Sequence, residues 1–389
     1  MSQPDSSLYL DFAATSPIYP EVIDYMQDIL QNHYANPSSK HEPGFVSEQI
    51  IKESRYSLSK ILKIKSTDLF FTSSATESNN WAIESAWKTI KRKGGTLVAS
   101  IDSHPSIKEK MLSMQEYGAN IIFAPVDANG IIDLHFITEK LPLDTKFFSI
   151  LHVNNETGVV QPLDKIIPII KSKFPTMLIH LDTVQSFAKL SLSQIVNMAD
   201  FISISSHKIG GPKGVGALIV KNSSNLSPLI YGGGQENLKR GGTENIYAIA
   251  GFARAASIMH DNLDKNYKQI QLQQQLFETI LLSSLTEIQI NGTDINRSPY
   301  ISSISLKHIR GEVLLHALSE HNIFISTGSA CSSKKDIFSP VLKAMGISKD
   351  FLAGSVRISY FPTLKEDQIK KAAEIFIKTV KKLRSNIRG

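Results

Sequence analysis

The feature that most constrains the fold is the alternation of short apolar segments with amphipathic helices between residues 69 and 220. Apolar runs predict seven strands, at 69–72, 96–101, 119–124, 147–153, 177–181, 199–202 and 215–220. Strands connected through helices form a mostly parallel sheet that is covered by those helices. The sequence therefore predicts an α/β fold with a mostly parallel seven-stranded sheet. The helix expected over about 164–174 tolerates Pro168 only near its first turn.

Polar side chains follow these strands where the strands end. In open α/β sheets, ligands bind beyond the carboxyl ends of the strands. A random distribution of polar residues would not concentrate them at that edge. The pattern predicts a binding site that draws on Thr76, His104, Asn155, Asp182, Gln185 and Lys208.

The segment after the sixth strand contains a lysine among residues that are unusual for a strand end. Ser205, Ser206 and His207 precede Lys208, and a glycine- and proline-rich turn follows it. A lysine there can form an imine with a carbonyl cofactor, beside hydroxyl and imidazole groups that bind a phosphate. The segment also fits a solvated surface turn, because lysine is almost never buried unless it is paired. Residues 73–80 likewise fit either a phosphate-binding helix start or a plain N-cap.

The chain is long enough for two domains. A helical stretch is expected over about 245–284, and from about 286 the pattern becomes α+β. We place the boundary near residue 260. This predicts a large domain over 16–260 and a smaller α+β domain that combines 1–15 with 261–389 and carries a mobile cysteine loop.

Composition and charge exclude several classes of function. The net charge of +6 comes from scattered basic residues and gives no support to nucleic-acid binding. No apolar run approaches the ~20 residues of a membrane span. The single cysteine, Cys331, excludes an intrachain disulfide and fits a reducing compartment. A cytoplasmic enzyme without a metal site is the expectation.

The polar residues match what pyridoxal phosphate requires. The cofactor needs a lysine, a carboxylate beside its ring nitrogen, donors for its phosphate and a flat group against its ring. Lys208, Asp182 and His104 can supply the lysine, the carboxylate and the flat group. The helix start at Thr76, with Ser205 and His207, can supply the phosphate donors. Gln185, one turn after Asp182, can reach the ring hydroxyl.

The chain resembles the NifS-like cysteine desulfurases of the class-V aminotransferase family, which are pyridoxal-phosphate enzymes of fold type I. The similarity extends nearly end to end. The matching segments, in family order, lie at 9–15, 36–41, 75–80, 153–162, 180–185, 205–208, 211–214, 232–236, 240–245, 328–331 and 356–359.

The resemblance implies a role for each matching residue. Lys208 would hold the cofactor, Asp182 its ring nitrogen and Gln185 its phenolic oxygen, while His104 would stack on the ring and move protons. Asn155 and Arg357 would grip the substrate carboxylate, with Asn155 also touching the cofactor. Homodimerisation is implied because Thr243 would reach the neighbouring subunit's phosphate. The phosphate ligands within the subunit would be Ala75, Thr76, Ser205 and His207.

The resemblance also gives Cys331 a role as the catalytic thiol. It would take the sulfur of L-cysteine as a persulfide, leave alanine, and pass the sulfur to an acceptor protein such as an iron–sulfur scaffold. An inert buried thiol is the alternative. Three departures from the family pattern are Phe12, Ser74 and Thr183, where many members have Asn, Gly and Ala.

Other activities stay open on the sequence alone. A selenocysteine or cystine lyase has the same scaffold, and a non-catalytic protein can keep the fold to bind partners. A nucleotide-binding loop over 211–216 is a weaker alternative, because its glycines do not fit a phosphate-loop pattern.

Overall fold

The structure is a computed structural model, and it describes residues 7–91, 94–223, 226–293, 296–327 and 338–388. Cys331 and the predicted cysteine loop around it lie outside the described residues. The helices are α1 (Pro20–Asn32), α2 (Glu42–Leu62), α3 (Ala75–Ile90), α4 (Pro105–Gln115), α5 (Leu163–Lys173), α6 (Gln235–Leu238), α7 (Ile246–Asp261), α8 (Leu263–Ser284), α9 (Gly311–Ser319), α10 (Pro340–Ala344), α11 (Lys349–Leu352) and α12 (Glu366–Arg388). The strands are β1 (Leu8–Tyr9), β2 (Leu69–Thr72), β3 (Thr96–Ser100), β4 (Asn120–Ala124), β5 (Thr145–Leu151), β6 (Leu178–Asp182), β7 (Phe201–Ser205), β8 (Gly216–Val220), β9 (Ile288–Ile290), β10 (Ile301–Leu306), β11 (Ile323–Phe324) and β12 (Ser355–Ser359).

The largest sheet has seven strands in the order β2-β8-β7-β6-β5-β3-β4. Neighbouring strands from β7 through β4 run parallel, whereas β8 is antiparallel to both β7 and β2. All five residues of β3, β7 and β8 are buried, as expected for strands covered on both faces. The predicted α/β architecture with a mostly parallel seven-stranded sheet is confirmed.

Two smaller sheets lie outside the large one. Strands β12, β10 and β9 form an antiparallel sheet in that order, and β1 pairs in parallel with β11. The pairing of Leu8 with Ile323 joins the start of the chain to its last third. Asp11 forms a further bridge to Ser359 at the end of β12. The turn that follows β1 is therefore held between the small sheets and the large one.

Two expectations about helices were wrong. The single helix expected over 245–284 is broken at Asn262, which caps α7 and precedes α8. Pro168 is the sixth residue of α5 rather than a first-turn residue. Proline costs the helix one backbone hydrogen bond. The complete burial of Ile166 and Ile170 on the inner face of the helix offsets that loss.

Among the described residues, no helix is both long and apolar enough to span a bilayer.

Candidate active site

Lys208 lies where β7 turns away from the sheet. A single 3-10 turn, Ser206–Lys208, directly follows the strand. The Lys208 Nζ donates to the carbonyl of Ala13 at 2.7 Å and to that of Ala14 at 2.6 Å. The predicted cofactor lysine is therefore oriented by the turn after β1, nearly 200 residues away in the chain.

Gln185 points to the same carbonyl. It lies in the turns after β6, is buried, and donates from Nε2 to the Ala13 oxygen at 2.9 Å. Because Lys208 and Gln185 share this acceptor, their side chains lie beside each other. The structure thus brings together two residues that the sequence assigns to one cofactor.

Asp182 ends β6 and has a buried side chain. Its Oδ1 accepts from the backbone N–H of Val184 at 3.1 Å. Its Oδ2 accepts from Asn79 Nδ2 at 2.9 Å, across from α3. Two donors therefore fix the direction of the carboxylate.

His104 caps α4 and is linked to the same asparagine. The backbone N–H of Ser106 donates to His104 Nδ1 at 3.1 Å, and Ser106 Oγ lies 2.8 Å from that nitrogen. Asn79 Nδ2 donates to Ser106 Oγ at 2.9 Å, so the Ser106 hydroxyl donates onward to Nδ1. The proton of the neutral ring therefore lies on Nε2.

Burial keeps that ring neutral. Burial lowers the pKa of His104, the Asp182 carboxylate opposes this shift, and the positive charge of Lys208 adds to it. Asp182 and Lys208 thus lie close enough to His104 to influence its charge. His104 therefore presents a neutral imidazole there at neutral pH.

The N-terminus of α3 lies against the end of β7. Ser205 pairs with Gly216 of β8. A Cβ on Gly216 would lie 2.9 Å from the Ser74 carbonyl carbon and 3.1 Å from the Ala75 nitrogen. This close backbone approach requires a glycine. It places the first turn of α3, with exposed Thr76, beside Ser205.

His207, the residue before Lys208, contacts the turn after β1. Its Nδ1 lies 3.2 Å from Thr15 Oγ1 in the turn after β1. Burial, followed by the positive charges of Lys208, Lys213 and Lys189, lowers the pKa of His207 to about 3. The ring is therefore neutral at pH 7 and acts as a hydrogen-bonding group, not as a cation.

Arg357 enters the site from the small sheet. It lies in β12, donates from Nη1 to the carbonyl of Asn155 at 2.8 Å, and pairs through Nη2 with Asp11 Oδ1 at 2.7 Å. The contact with Asn155 joins the two residues that the sequence assigns to the substrate carboxylate. In the described part of the chain, Nε of Arg357 is buried and has no hydrogen-bond partner.

Thr243 does not join this group. It is exposed and lines a separate cavity of about 260 Å³ with residues of α1 and the chain that follows it. Arg240, on the same loop, donates to Glu77 Oε1 of α3 at 3.0 Å. The loop that carries Thr243 is thus held against the helix whose first turn borders the site. Cys331 lies outside the described residues.

The three departures from the family pattern are accommodated by local contacts. Phe12 stacks on Phe361 with ring centroids 5.3 Å apart. Ser74 caps α3 by accepting from the backbone N–H of Glu77. Thr183 Oγ1 donates to the carbonyl of Ser203 at 2.9 Å. Each substituted side chain therefore has a structural function beside the site.

Sequence reasoning missed the residues that link these groups. Asn79 donates both to Asp182 and to Ser106, the residue that contacts His104 Nδ1. Ala13 contributes only a backbone carbonyl. Asn79 stands in the conspicuous polar segment 75–80, which is a signal in the sequence. A backbone acceptor leaves no signal in residue types.

Comparison with known proteins identifies the class to which this arrangement belongs. A family model for class-V aminotransferases matches residues 8–371. The chain therefore belongs to the class-V aminotransferase family, whose members depend on pyridoxal phosphate.

Within that family, the chain is similar to proteins named cysteine desulfurases, which confirms the predicted resemblance. It is 34% identical to cysteine desulfurase IscS of Dictyoglomus turgidum, over 97% of this chain and 95% of that protein. It is also 34% identical to IscS 1 of Archaeoglobus fulgidus, over 97% and 98% of the two chains.

Solved structures agree with these relatives. A NifS-like protein superposes with a TM-score of 0.90 at 30% identity, covering 96% of this chain and 99% of that one. The structure titled SspA in complex with cysteine gives a TM-score of 0.81 at 30% identity, covering 92% and 99%.

The residues present fit pyridoxal phosphate. The site combines a lysine, a buried carboxylate, a neutral imidazole and a helix N-terminus, the donor set that the cofactor requires. Unpartnered buried polar atoms are a further sign of a ligand. Among the described residues, Asn79 Oδ1 and Ser206 Oγ are buried without a hydrogen-bond partner.

Proposed function

We propose that the protein is a pyridoxal-phosphate-dependent cysteine desulfurase that converts L-cysteine to L-alanine and collects the sulfur on Cys331. The observation that carries the proposal is the convergence of Lys208, Asp182 and His104 on one edge of the parallel sheet. The similarity to desulfurases over nearly the whole chain supports the same activity.

Each residue has a distinct function in this proposal. When bound, the cofactor withdraws electrons from the amino acid and so weakens the bonds around its Cα. Lys208 holds the cofactor through Nζ, and Asp182 keeps the ring nitrogen protonated. Asn79 keeps the Asp182 carboxylate in place.

The phosphate is held at the start of α3. The free backbone N–H groups of a helix N-terminus favour an anion. Ala75 and Thr76 supply this end, and Ser205 lies beside it through the contact with Gly216. His207 completes the set as a neutral donor.

His104 and Arg357 act on the substrate side. His104 stacks on the cofactor ring, and the proton on its Nε2 is the one that it can donate. Arg357 and Asn155 bind the substrate carboxylate, for which a planar guanidinium is well shaped. The ion pair with Asp11 fixes the guanidinium plane before substrate arrives.

Cys331 receives the sulfur. Its thiolate attacks the sulfur of the bound cysteine, the new S–S bond forms as the Cβ–S bond breaks, and Cβ is protonated to give alanine. An acceptor protein, such as an iron–sulfur scaffold, then takes the terminal sulfur. A cytoplasmic location stays a prediction from the single cysteine, and one relative is mitosomal.

The working unit in this proposal is a homodimer. Large apolar side chains are exposed around the loop that carries Thr243, among them Tyr34 at 84% and Tyr231 at 79% exposure. Leu238 on the same loop is also exposed. Burying such side chains against a second copy favours association. It also lets Thr243 reach the partner's phosphate. The two-domain division near residue 260 is part of the same proposal.

One experiment tests the activity. Purified protein loaded with cofactor is mixed with L-cysteine, and alanine and sulfide are measured together, with and without a thiol reductant. We expect alanine in both cases, but only up to one equivalent per subunit without reductant, because the persulfide is not discharged. Cys331→Ala should abolish cysteine turnover and spare any activity on selenocysteine. Absence of alanine under both conditions would refute the proposal.

A further inference from the structure

A second buried lysine lies beside the site, and the proposed function assigns it no role. Lys189 is only 2% exposed. Lysine is almost never fully buried unless it is paired. In the described part of the chain, however, Lys189 forms no ion pair with a carboxylate. Its Nζ instead lies 3.4 Å from Gln185 Oε1 and 5.4 Å from the centre of the Tyr300 ring.

The backbone is bent to direct this lysine toward the site. The chain after Gln185 makes successive turns, and Ala188 has φ of 55°, in the left-handed region. This conformation is unfavourable for a residue with a Cβ by roughly 1 kcal/mol or more. Strain of this kind persists where the surrounding structure requires it, often at functional sites. Lys189, the next residue, points back toward Gln185.

Lys189 completes a chain of contacts that reaches the cofactor lysine. It donates to Gln185 Oε1, Gln185 Nε2 donates to the Ala13 carbonyl, and Lys208 Nζ donates to that same carbonyl. A glutamine amide has one donor end and one acceptor end, and the two are nearly equal in shape. A donor that contacts Oε1 therefore selects one of the two orientations.

We propose that Lys189 is a positioning residue that holds the Gln185 amide with Oε1 toward Lys189 and Nε2 toward the cofactor. This inference rests on the proposed function, because it assumes that Gln185 meets the phenolic oxygen of pyridoxal phosphate. Without Lys189, only the Ala13 carbonyl opposes a turned amide, which would present an acceptor to an oxygen that itself accepts. The lost hydrogen bond and the new repulsion both weaken cofactor binding.

The charge environment is consistent with this role. Burial lowers the pKa of Lys189 to about 7, and the positive charges of Lys208 and Arg357 add to the effect. The amine retains N–H donors in both its charged and its neutral form. Its contact with Gln185 therefore does not depend on its protonation.

The test measures the affinity of the apo-protein for pyridoxal phosphate by equilibrium dialysis, so that it does not depend on turnover. The main variant is Lys189→Met, which keeps the length of the side chain but removes its donor. Lys189→Gln keeps an amide donor. Lys171→Met is the control for the lysine-to-methionine change itself, since Lys171 lies in α5 and contacts the Met177 carbonyl and Asp200 rather than Gln185.

We expect the dissociation constant to rise about tenfold in K189M, which corresponds to the loss of about one hydrogen bond. It should change less than threefold in K189Q and in K171M. Gln185→Ala should also weaken binding about tenfold. Because Lys189 acts through Gln185, adding K189M to Q185A should cause no further loss. The visible absorption of the bound cofactor should shift alike in K189M and Q185A.

Several outcomes overturn the proposal. The proposal is refuted if K189M binds pyridoxal phosphate with wild-type affinity. It is also refuted if adding K189M to Q185A causes a further tenfold loss of affinity. If K189M does not fold, a tenfold loss in K189Q that persists beside Q185A refutes the proposal. A change below threefold in K189Q with a tenfold loss in Q185A supports it. Failure of the unaltered protein to bind pyridoxal phosphate refutes the proposed function instead.

Discussion

Two buried asparagines, one beside the three-stranded sheet and one at the edge of the seven-stranded sheet, differ in how completely their side chains are hydrogen-bonded. Asn291, beside the three-stranded sheet, donates to Ser303 Oγ and Ser305 Oγ, and its Oδ1 accepts from Gln289. Asn79, at the edge of the seven-stranded sheet, also makes two donations, but its Oδ1 has no partner among the described residues.

The difference separates buried polar groups whose hydrogen bonds are all made within the fold from buried polar groups at the candidate site that keep an unpaired atom among the described residues. A buried polar network stabilises a protein only when all of its members are satisfied. The Glu278 network beside the three-stranded sheet meets this condition: Glu278 accepts two hydrogen bonds from Arg297 and one from Ser302. At the carboxyl edge of the large sheet, by contrast, Asn79 Oδ1 and Ser206 Oγ are buried without a hydrogen-bond partner among the described residues. That edge is therefore where substitutions should alter binding more than stability.

The largest effect is expected at Lys208, the lysine proposed to hold the cofactor. Lys208→Ala should lower cysteine turnover by about 10⁴-fold, because in the proposed function it removes both the covalent attachment and a proton-transfer group. Its thermal unfolding without cofactor should change little. Lys213→Ala, an exposed lysine of the same loop, is the control and should keep full turnover. Substantial turnover in Lys208→Ala would contradict the assignment of the site.

The next effect concerns stability at the small sheet. Glu278→Ala should lower the free energy of unfolding by about 3 kcal/mol, because it leaves the Arg297 guanidinium, whose side chain is only 12% exposed, without its partner. Urea unfolding monitored by circular dichroism measures the change. Glu312→Ala, which removes an exposed pair with Arg310, should cost less than about 0.5 kcal/mol. Cofactor affinity should be unaltered in both variants, and a loss in either would blur the contrast between the sheets.

The two asparagines provide the direct test of the contrast. Asn79→Ala should weaken pyridoxal phosphate binding by about tenfold, because the Asp182 carboxylate loses a donor that is worth about 1.5 kcal/mol. Asn291→Ala should lower the unfolding free energy by a similar amount and leave cofactor affinity intact. Dialysis and urea unfolding on both variants decide the matter. Equal effects on binding would remove the distinction that we draw.

The smallest effect is expected in the interior of the large sheet, away from its edge. His180 is enclosed between Ser149 and Ser203, and burial lowers its pKa to about 3. An unfolded histidine has a pKa near 6.5, so the unfolded chain binds the proton first as pH falls. The contribution of His180 to the free energy of unfolding is therefore fully present above about pH 6.5 and is lost as the pH falls toward 3.

The histidine should account for about 1.4 kcal/mol of the stability lost between pH 7.5 and pH 5.5. His180→Asn should reduce the pH dependence of the unfolding free energy by that amount. Urea unfolding at the two pH values measures it. An unchanged dependence would show that another group titrates in this window.

Much of the fold was predictable because its signals are local. Apolar runs located the strands of the large sheet to within about three residues, and the helix start expected within residues 73–80 is found at Ala75. The break between α7 and α8 at Asn262 was not predictable, because the helical sequence pattern continues through it. The position of Pro168 within α5 was decided by burial of that helix.

By itself, the sequence determined which residues stand at the carboxyl ends of the strands, since parallel strands bring those ends together whatever the details of packing. This placed Lys208, Asp182 and His104 at one edge. Only the tertiary structure decided how they are connected. The links are the Ala13 carbonyl, the Asn79 amide and the Lys189 amine, which come from distant parts of the chain. Such contacts depend on the distance and direction between packed elements, and neither is encoded in the type of any one residue.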